Sequence, residues 1–176
     1  MTGHFKDAGF IPLNIAVLTV SDTRTKENDK SGATLRERAL EADHKVVEKV
    51  IVPDDIYQMR AVFSRWIADE DVHVIVTTGG TGITGRDSTP EAVMPLFDKS
   101  IEGFGELFRS ISLAEIGASS IQSRAIAGLA NGTLIFCLPG SSGACRTGWD
   151  KILKPQLDNR TRPCNFAQMF PRLLEF

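Results

Sequence analysis

Short apolar runs alternate along this chain with segments of helical period. Asn14–Val20 is almost continuously apolar and stops at Ser21-Asp22. Lys45–Val52 is rich in valine, Val72–Thr77 is apolar apart from His73 and its last residue, and Thr133–Leu138 is apolar again. Such runs predict strands buried on both faces, as in a parallel sheet covered by helices. Between them, Leu35, Ala39 and Ala42 share one helical face after Ser31, which is placed to cap that helix. Ile56, Met59, Phe63, Trp66 and Ile67 form the clearest helical stripe, entered through Pro53-Asp54-Asp55, where an aspartate is placed as cap. Phe104, Leu107, Phe108 and Ile111 define another amphipathic segment. A helix also starts near residue 88 and runs to about Phe97. Ser88 with Glu91 makes a capping box, and Thr89 with Pro90 an equally good start. A last helix follows Pro139-Gly140-Ser141-Ser142-Gly143 and runs to about Leu157.

This alternation predicts a three-layer α/β/α sandwich with a mostly parallel sheet. Residues 1–12 end at Pro12 and read as a loosely held N-terminal arm, and residues 13–176 as one domain. The tail from Asn159 onward shows no clear period. An apolar fraction of 42% with 24% charged residues excludes disorder for the bulk of the chain. A net charge of −2 supplies no field to attract nucleic acid or an anionic membrane. The 3 cysteines, Cys137, Cys145 and Cys164, form no CxxC pair, which argues against a disulfide scaffold or structural zinc. No apolar run approaches the roughly 18 residues of a membrane span, and no signal-peptide pattern opens the chain, so a cytoplasmic location is expected.

In such sheets ligands sit outside the carboxyl ends of the strands, and each polar loop with chemistry lies at one of those ends. The first is Thr77-Thr78-Gly79-Gly80-Thr81-Gly82. Glycines admit positive φ and let backbone amides converge on an anion, while threonine hydroxyls add donors without bulk. Phosphate is the natural guest, although neither a Walker A lysine nor a dinucleotide fingerprint is present. The second is Arg86-Asp87, close enough for the carboxylate to meet Mg²⁺ on a phosphate bound at the glycine loop. Asp54 is either a second such carboxylate or a helix cap. Ser141 and Ser142, after the last strand, make either a plain strand-to-helix turn or an anion site at a helix entrance. Ser21-Asp22 completes a ring of polar strand ends. Arg109, Arg124 and Arg146 are the cations placed to approach it. His4, His44 and His73 share no metal-ligand spacing and read as structural.

These pieces occur in an order that resembles the molybdenum cofactor biosynthesis protein B (MoaB/Mog) family, a molybdopterin-binding, MogA-like domain. The likeness rests on Leu18-Thr-Val-Ser-Asp22, Val52-Pro-Asp-Asp55, Thr77-Thr-Gly-Gly-Thr-Gly82, Arg86-Asp-Ser-Thr-Pro-Glu-Ala92, Gly103-Phe-Gly-Glu106, Ser123-Arg124 and Leu138-Pro-Gly140, and it covers roughly residues 12–165. The resemblance implies molybdopterin binding and its adenylylation with Mg²⁺ and ATP, a nucleotidyl transfer. It also implies substrate contacts from Ser21, Thr78, Gly79, Gly80, Thr81, Gly82, Glu106, Ser141 and Ser142. Asp87 and Asp54 would be the catalytic carboxylates, and Asp87 the metal ligand. It further implies a homotrimer or homohexamer and a molybdate-inserting partner protein. A non-catalytic molybdopterin-binding or scaffolding paralogue is the alternative. Phe63, Trp66 and the many phenylalanines also read as more aromatic surface than one small core needs, in line with an oligomer.

Overall fold

Each run read as a strand forms one, and the way they pair decides where the loops meet. The computed structural model describes residues 9–174. Six strands, β1 (Asn14–Val20), β2 (Lys45–Val52), β3 (Val74–Thr78), β4 (Lys99–Ser100), β5 (Ile126–Ala130) and β6 (Thr133–Leu138), form one sheet in the order β2-β1-β3-β6-β5-β4. The first four in that order are mutually parallel, and β5 and β4 run antiparallel at the far edge. The sheet is thus mostly parallel, as the apolar runs predict.

Alternate residues of these strands feed two cores. Ile15, Val17, Val74, Val76, Leu134 and Phe136 face one side, where they meet α1 (Lys30–Glu41), α4 (Glu102–Ile116) and α5 (Ser142–Gly148) through Leu35, Phe108 and Cys145. Ala16, Leu18, Ile75 and Ile135 face the other, against α2 (Ile56–Ile67) and α3 (Thr89–Val93), through Met59, Phe63, Trp66 and Val93. Helices therefore cover both faces, which completes the α/β/α sandwich. Phe63 and Trp66 are fully buried inside the chain's own core. They need no second subunit, so the aromatic argument for an oligomer does not hold.

Several local readings are corrected. Asp29, not Ser31, caps α1, accepting from the Gly32 amide. Asp55, not Asp54, caps α2 through the amides of Tyr57 and Gln58. Neither proposed cap of α3 forms: Ser88 makes no side-chain cap bond, and the Thr89 hydroxyl donates to the Gly79 carbonyl at 2.9 Å. β4 and β5 carried no sequence assignment. Their missed signal is Asn131-Gly132, both at positive φ (46° and 80°), the two-residue turn that joins β5 to β6. Of the N-terminal arm, residues 1–8, including His4, lie outside the described residues. Residues 9–12 are tied down by Asn159, which accepts from the Ile11 amide and donates to the Gly9 carbonyl.

Candidate functional site

Parallel pairing puts the carboxyl ends of four strands on one rim. Thr19 is opposite Thr78, Thr78 is opposite Leu138, and Val20 is opposite Val52. The loops that follow therefore leave the sheet side by side and surround a cavity of about 580 Å³. Of the residues expected to bind substrate, Ser21, Thr78, Gly79, Gly80, Thr81, Gly82 and Ser141 line it, and so does Asp87.

The glycine loop is pressed between its neighbours. Gly79 and Gly80 adopt φ of 103° and 64°, where a side chain is strained. A Cβ on Gly79 would come within 2.1 Å of the Val20 carbonyl oxygen, and one on Gly80 within 2.3 Å of the Thr89 hydroxyl. The Gly79 amide donates to the Leu138 carbonyl at 3.0 Å, and the Thr78 hydroxyl to the Pro139 carbonyl at 3.0 Å. The β3 and β6 loops are thus bonded to each other, and the end of β1 at Val20 packs directly against Gly79.

Arg124, read as a cation approaching the site, is instead a brace. Its backbone amide donates to Thr81, its Nε to the Gly82 carbonyl at 2.7 Å, and its Nη2 to the Asp87 carbonyl at 2.9 Å, while Nη1 pairs with Glu91. One guanidinium so fixes the exit of the glycine loop, the backbone of Asp87 and the start of α3. Arg109 bonds the carbonyls of Ser123 and Ala125. No contact of Arg146 brings it to the cavity, and it is absent from the lining.

The Asp87 carboxylate accepts from the Thr84 hydroxyl at 2.6 Å and the Thr84 amide at 2.9 Å. Those bonds outweigh the cost of partial burial and hold it below the usual carboxylate range, so it is anionic at neutral pH. Asp54 is the opposite case. Its Oδ1 is buried without a hydrogen-bond partner, 2.7 Å from the place a Gly80 Cβ would occupy. Burial first, then the charges of Asp22 and Asp87, push its carboxyl up, with Arg86 opposing. Asp54 does not line the cavity itself; it stands behind the glycine loop. Arg86 reaches neither it nor the cavity, because its guanidinium is paired with Asp22 through Nη2 at 2.6 Å and Nε at 3.0 Å.

Two expected residues are elsewhere. Glu106 lies on α4 beside a separate cavity of about 320 Å³ with Phe97 and Arg109, because its helical phase turns it away from the strand ends. Ser142 is the first residue of α5 and is absent from the cavity lining, whereas Ser141 caps that helix, accepting from the Ala144 amide at 3.1 Å. In turn, the sequence did not single out Arg24 or the α4 residues Ser112 and Glu115, all of which line the main cavity. The readable signal on α4 was serine at 112, where the Phe104–Phe108 stripe would otherwise continue.

His44 and His73 prove structural, their Nδ1 atoms accepting from the amides of Leu13 and Asn14. Cys137 and Cys145 are buried thiols, pushed up to about 12 and about 11 by that burial, and all three cysteines are free. Among the described residues no group of three His, Cys, Asp or Glu side chains is placed to hold a metal, and no helix is long and apolar enough to cross a membrane.

The profile of a family described as a probable molybdopterin binding domain matches residues 16–159, most of the chain. The chain belongs to that family. Molybdenum cofactor biosynthesis protein B of Escherichia coli K12 is 59% identical over 157 residues, covering 89% of this chain and 92% of the relative. Among solved structures, a molybdenum cofactor biosynthesis protein B superposes with a TM-score of 0.84 at 44% identity, covering 93% of this chain and 96% of the other. The tungsten cofactor synthesizing protein MoaB from Pyrococcus furiosus superposes at 0.74 with 40% identity, over 81% of this chain and 91% of that one. The molybdenum cofactor biosynthesis family is therefore established at the level of both sequence and fold.

Proposed function

We propose that this molybdenum cofactor biosynthesis protein binds molybdopterin in the rim cavity and adenylylates it with ATP and Mg²⁺. The observation that carries the reading is the convergence of Ser21, the loop that holds residues 79–82 and Asp87, and Ser141, from three separate stretches of chain, on one cavity. Backbone amides and small hydroxyls suit a phosphate.

In the proposed step a terminal phosphate oxygen of molybdopterin attacks the α-phosphorus of ATP. A phosphorus–oxygen bond to AMP forms, the bond to the β-phosphate breaks, and pyrophosphate leaves. The substrate supplies its own nucleophile, so the protein's part is to position and to stabilise charge. The glycine loop holds the attacking phosphate, and Arg124 keeps that loop and Asp87 in fixed relation. Asp87, anionic and facing the cavity, fits a cation that takes one protein carboxylate and its remaining ligands from phosphate and water, whereas Asp54, expected as a second such carboxylate, stands behind Gly80 and outside the lining. Bound there, Mg²⁺ would neutralise charge on the phosphates.

Incubation with molybdopterin, ATP and Mg²⁺ is expected to yield adenylylated pterin and pyrophosphate. Asp87→Asn is expected to lower the rate by at least about 100-fold while leaving pterin affinity within a few-fold. Tight pterin binding without AMP transfer by the unaltered protein would replace this reading with a non-catalytic molybdopterin-binding role.

A further inference from the structure

The cavity has a second wall with different chemistry. Phe108, Ser112, Glu115 and Ser119, from α4 and the 3₁₀ turn after it, line the same cavity as the glycine loop. The spacing of Phe108, Ser112 and Glu115 puts those three on one face of α4, and Ser119 follows beyond Gly117. Glu115 is not a loose surface acid. The buried Thr147 of α5 donates to its Oε2 at 2.7 Å, and Thr147 is its one hydrogen-bond partner among the described residues. Glu115 is otherwise exposed, so most of the carboxylate's acceptor capacity is open to solvent and to a ligand in the cavity it lines.

A carboxylate repels phosphate, so Glu115 must serve another part of the ligand. The cavity is lined by one cation among the described residues, Arg24 on the loop after β1, and by two carboxylates: Asp87 beside the glycine loop, where a phosphate-bound cation would offset its charge, and Glu115 on α4, away from that loop in the chain. A fixed carboxylate offers two acceptors side by side and is matched by two adjacent N–H donors.

We propose that Glu115 reads the pyrimidine edge of the pterin, accepting from ring N3–H and from the 2-amino group. This rests on the molybdopterin reading above and adds the residue that selects the ring. Adenine offers no such pair, since its N1 is an acceptor beside a single amino donor. Glu115 therefore separates the pterin end of the cavity from the nucleotide and fixes the direction in which the pterin lies. Phe108 supplies apolar surface at the same wall. Thr147 is a positioning residue, acting only through Glu115.

The test uses the whole protein and two phosphorylated ring compounds: a 6-substituted pterin phosphate and its 2-oxo (lumazine) counterpart, which lacks the amino donor. The protein is expected to prefer the pterin by at least about tenfold, the loss expected for a hydrogen bond to a charged acceptor. Glu115→Gln is expected to remove that preference with no change in inorganic pyrophosphate affinity or melting temperature, and Thr147→Val to reduce it by a smaller factor. A purely structural bridge between α4 and α5 would instead lower the melting temperature and leave the ring preference intact. Equal affinity of the unaltered protein for the two rings overturns the role of Glu115 while leaving molybdopterin binding standing. Failure to bind molybdopterin at all overturns both.

Discussion

Asp54 lies one residue before the true cap of α2, and that offset changes its chemistry. Asp55 takes the amides of Tyr57 and Gln58, while Asp54 keeps an oxygen buried and unpartnered behind Gly80. Burial and the neighbouring charges of Asp22 and Asp87 raise its carboxyl. A raised carboxyl penalises folding progressively as the pH climbs from the ordinary value of 3.8 to its folded value, in full above that, and not at all below 3.8. Asp54→Asn is therefore expected to raise the melting temperature at pH 7 by roughly 1–3 °C, with the gain vanishing as the pH falls below that ordinary value. Thermal scans across pH read this directly; a variant less stable than the parent at neutral pH would show that Asp54 is satisfied. Gly79 is constrained from the other side. With φ of 103° and a Cβ position 2.1 Å from the Val20 carbonyl oxygen, Gly79→Ala is expected to cost more than about 2 kcal/mol and to abolish ligand binding. Asp87 and the glycine loop were legible in the sequence because their meaning is local: a glycine–threonine run, then a carboxylate before a helix. Arg24 and Glu115 were not, because the cavity they both line is assembled from stretches of chain about 90 residues apart.

At the scale of elements, the parallel strands were legible for a physical reason. Burial on both faces leaves no room for polar residues, so β1, β3 and β6 read as continuous apolar runs. Three of the 5 residues of β5 are glycine or alanine and β4 is two exposed residues, so neither has such a signature. Helix starts misled where a distant partner intervened: the capping box at Ser88 needs Glu91, but Glu91 is taken by Arg124. The start of α1 is likewise a tertiary device. Asp29 accepts from Gly32, from Thr19 of β1 at 2.8 Å, and from Lys49 of β2. Burial opposes its charge, but Lys49 and the two donors win and hold the carboxyl below its ordinary value. Lys49→Met leaves that buried charge without its counter-ion and is expected to destabilise by about 3 kcal/mol at pH 7. The depressed carboxyl contributes stability above 3.8 and loses it as the pH falls through the folded value. The gap between parent and variant in urea unfolding should accordingly close in acid; a gap that stays constant would mean Lys49 acts through packing alone.

For the molecule as a whole, the layers follow from the alternation of strands and helices, whereas its surface partners do not. Leu113, Ile116 and Ile121 are 57%, 56% and 82% exposed around the end of α4, next to the cavity. An apolar cluster of that kind beside a functional site supports association of identical subunits. Light scattering is expected to give a mass of three or six chains, and Leu113→Glu to shift it toward one; a single-chain mass for the parent would remove the expectation. The proposed function stands on loops from separate strands forming one seat for the phosphate of a pterin. A crystal structure of the protein with molybdopterin bound tests it most directly. The terminal phosphate is expected within hydrogen-bonding distance of the amides of residues 80–82 and of Ser141, with the ring toward Glu115. A phosphate bound away from the glycine loop, or at the cavity beside Glu106, would contradict it.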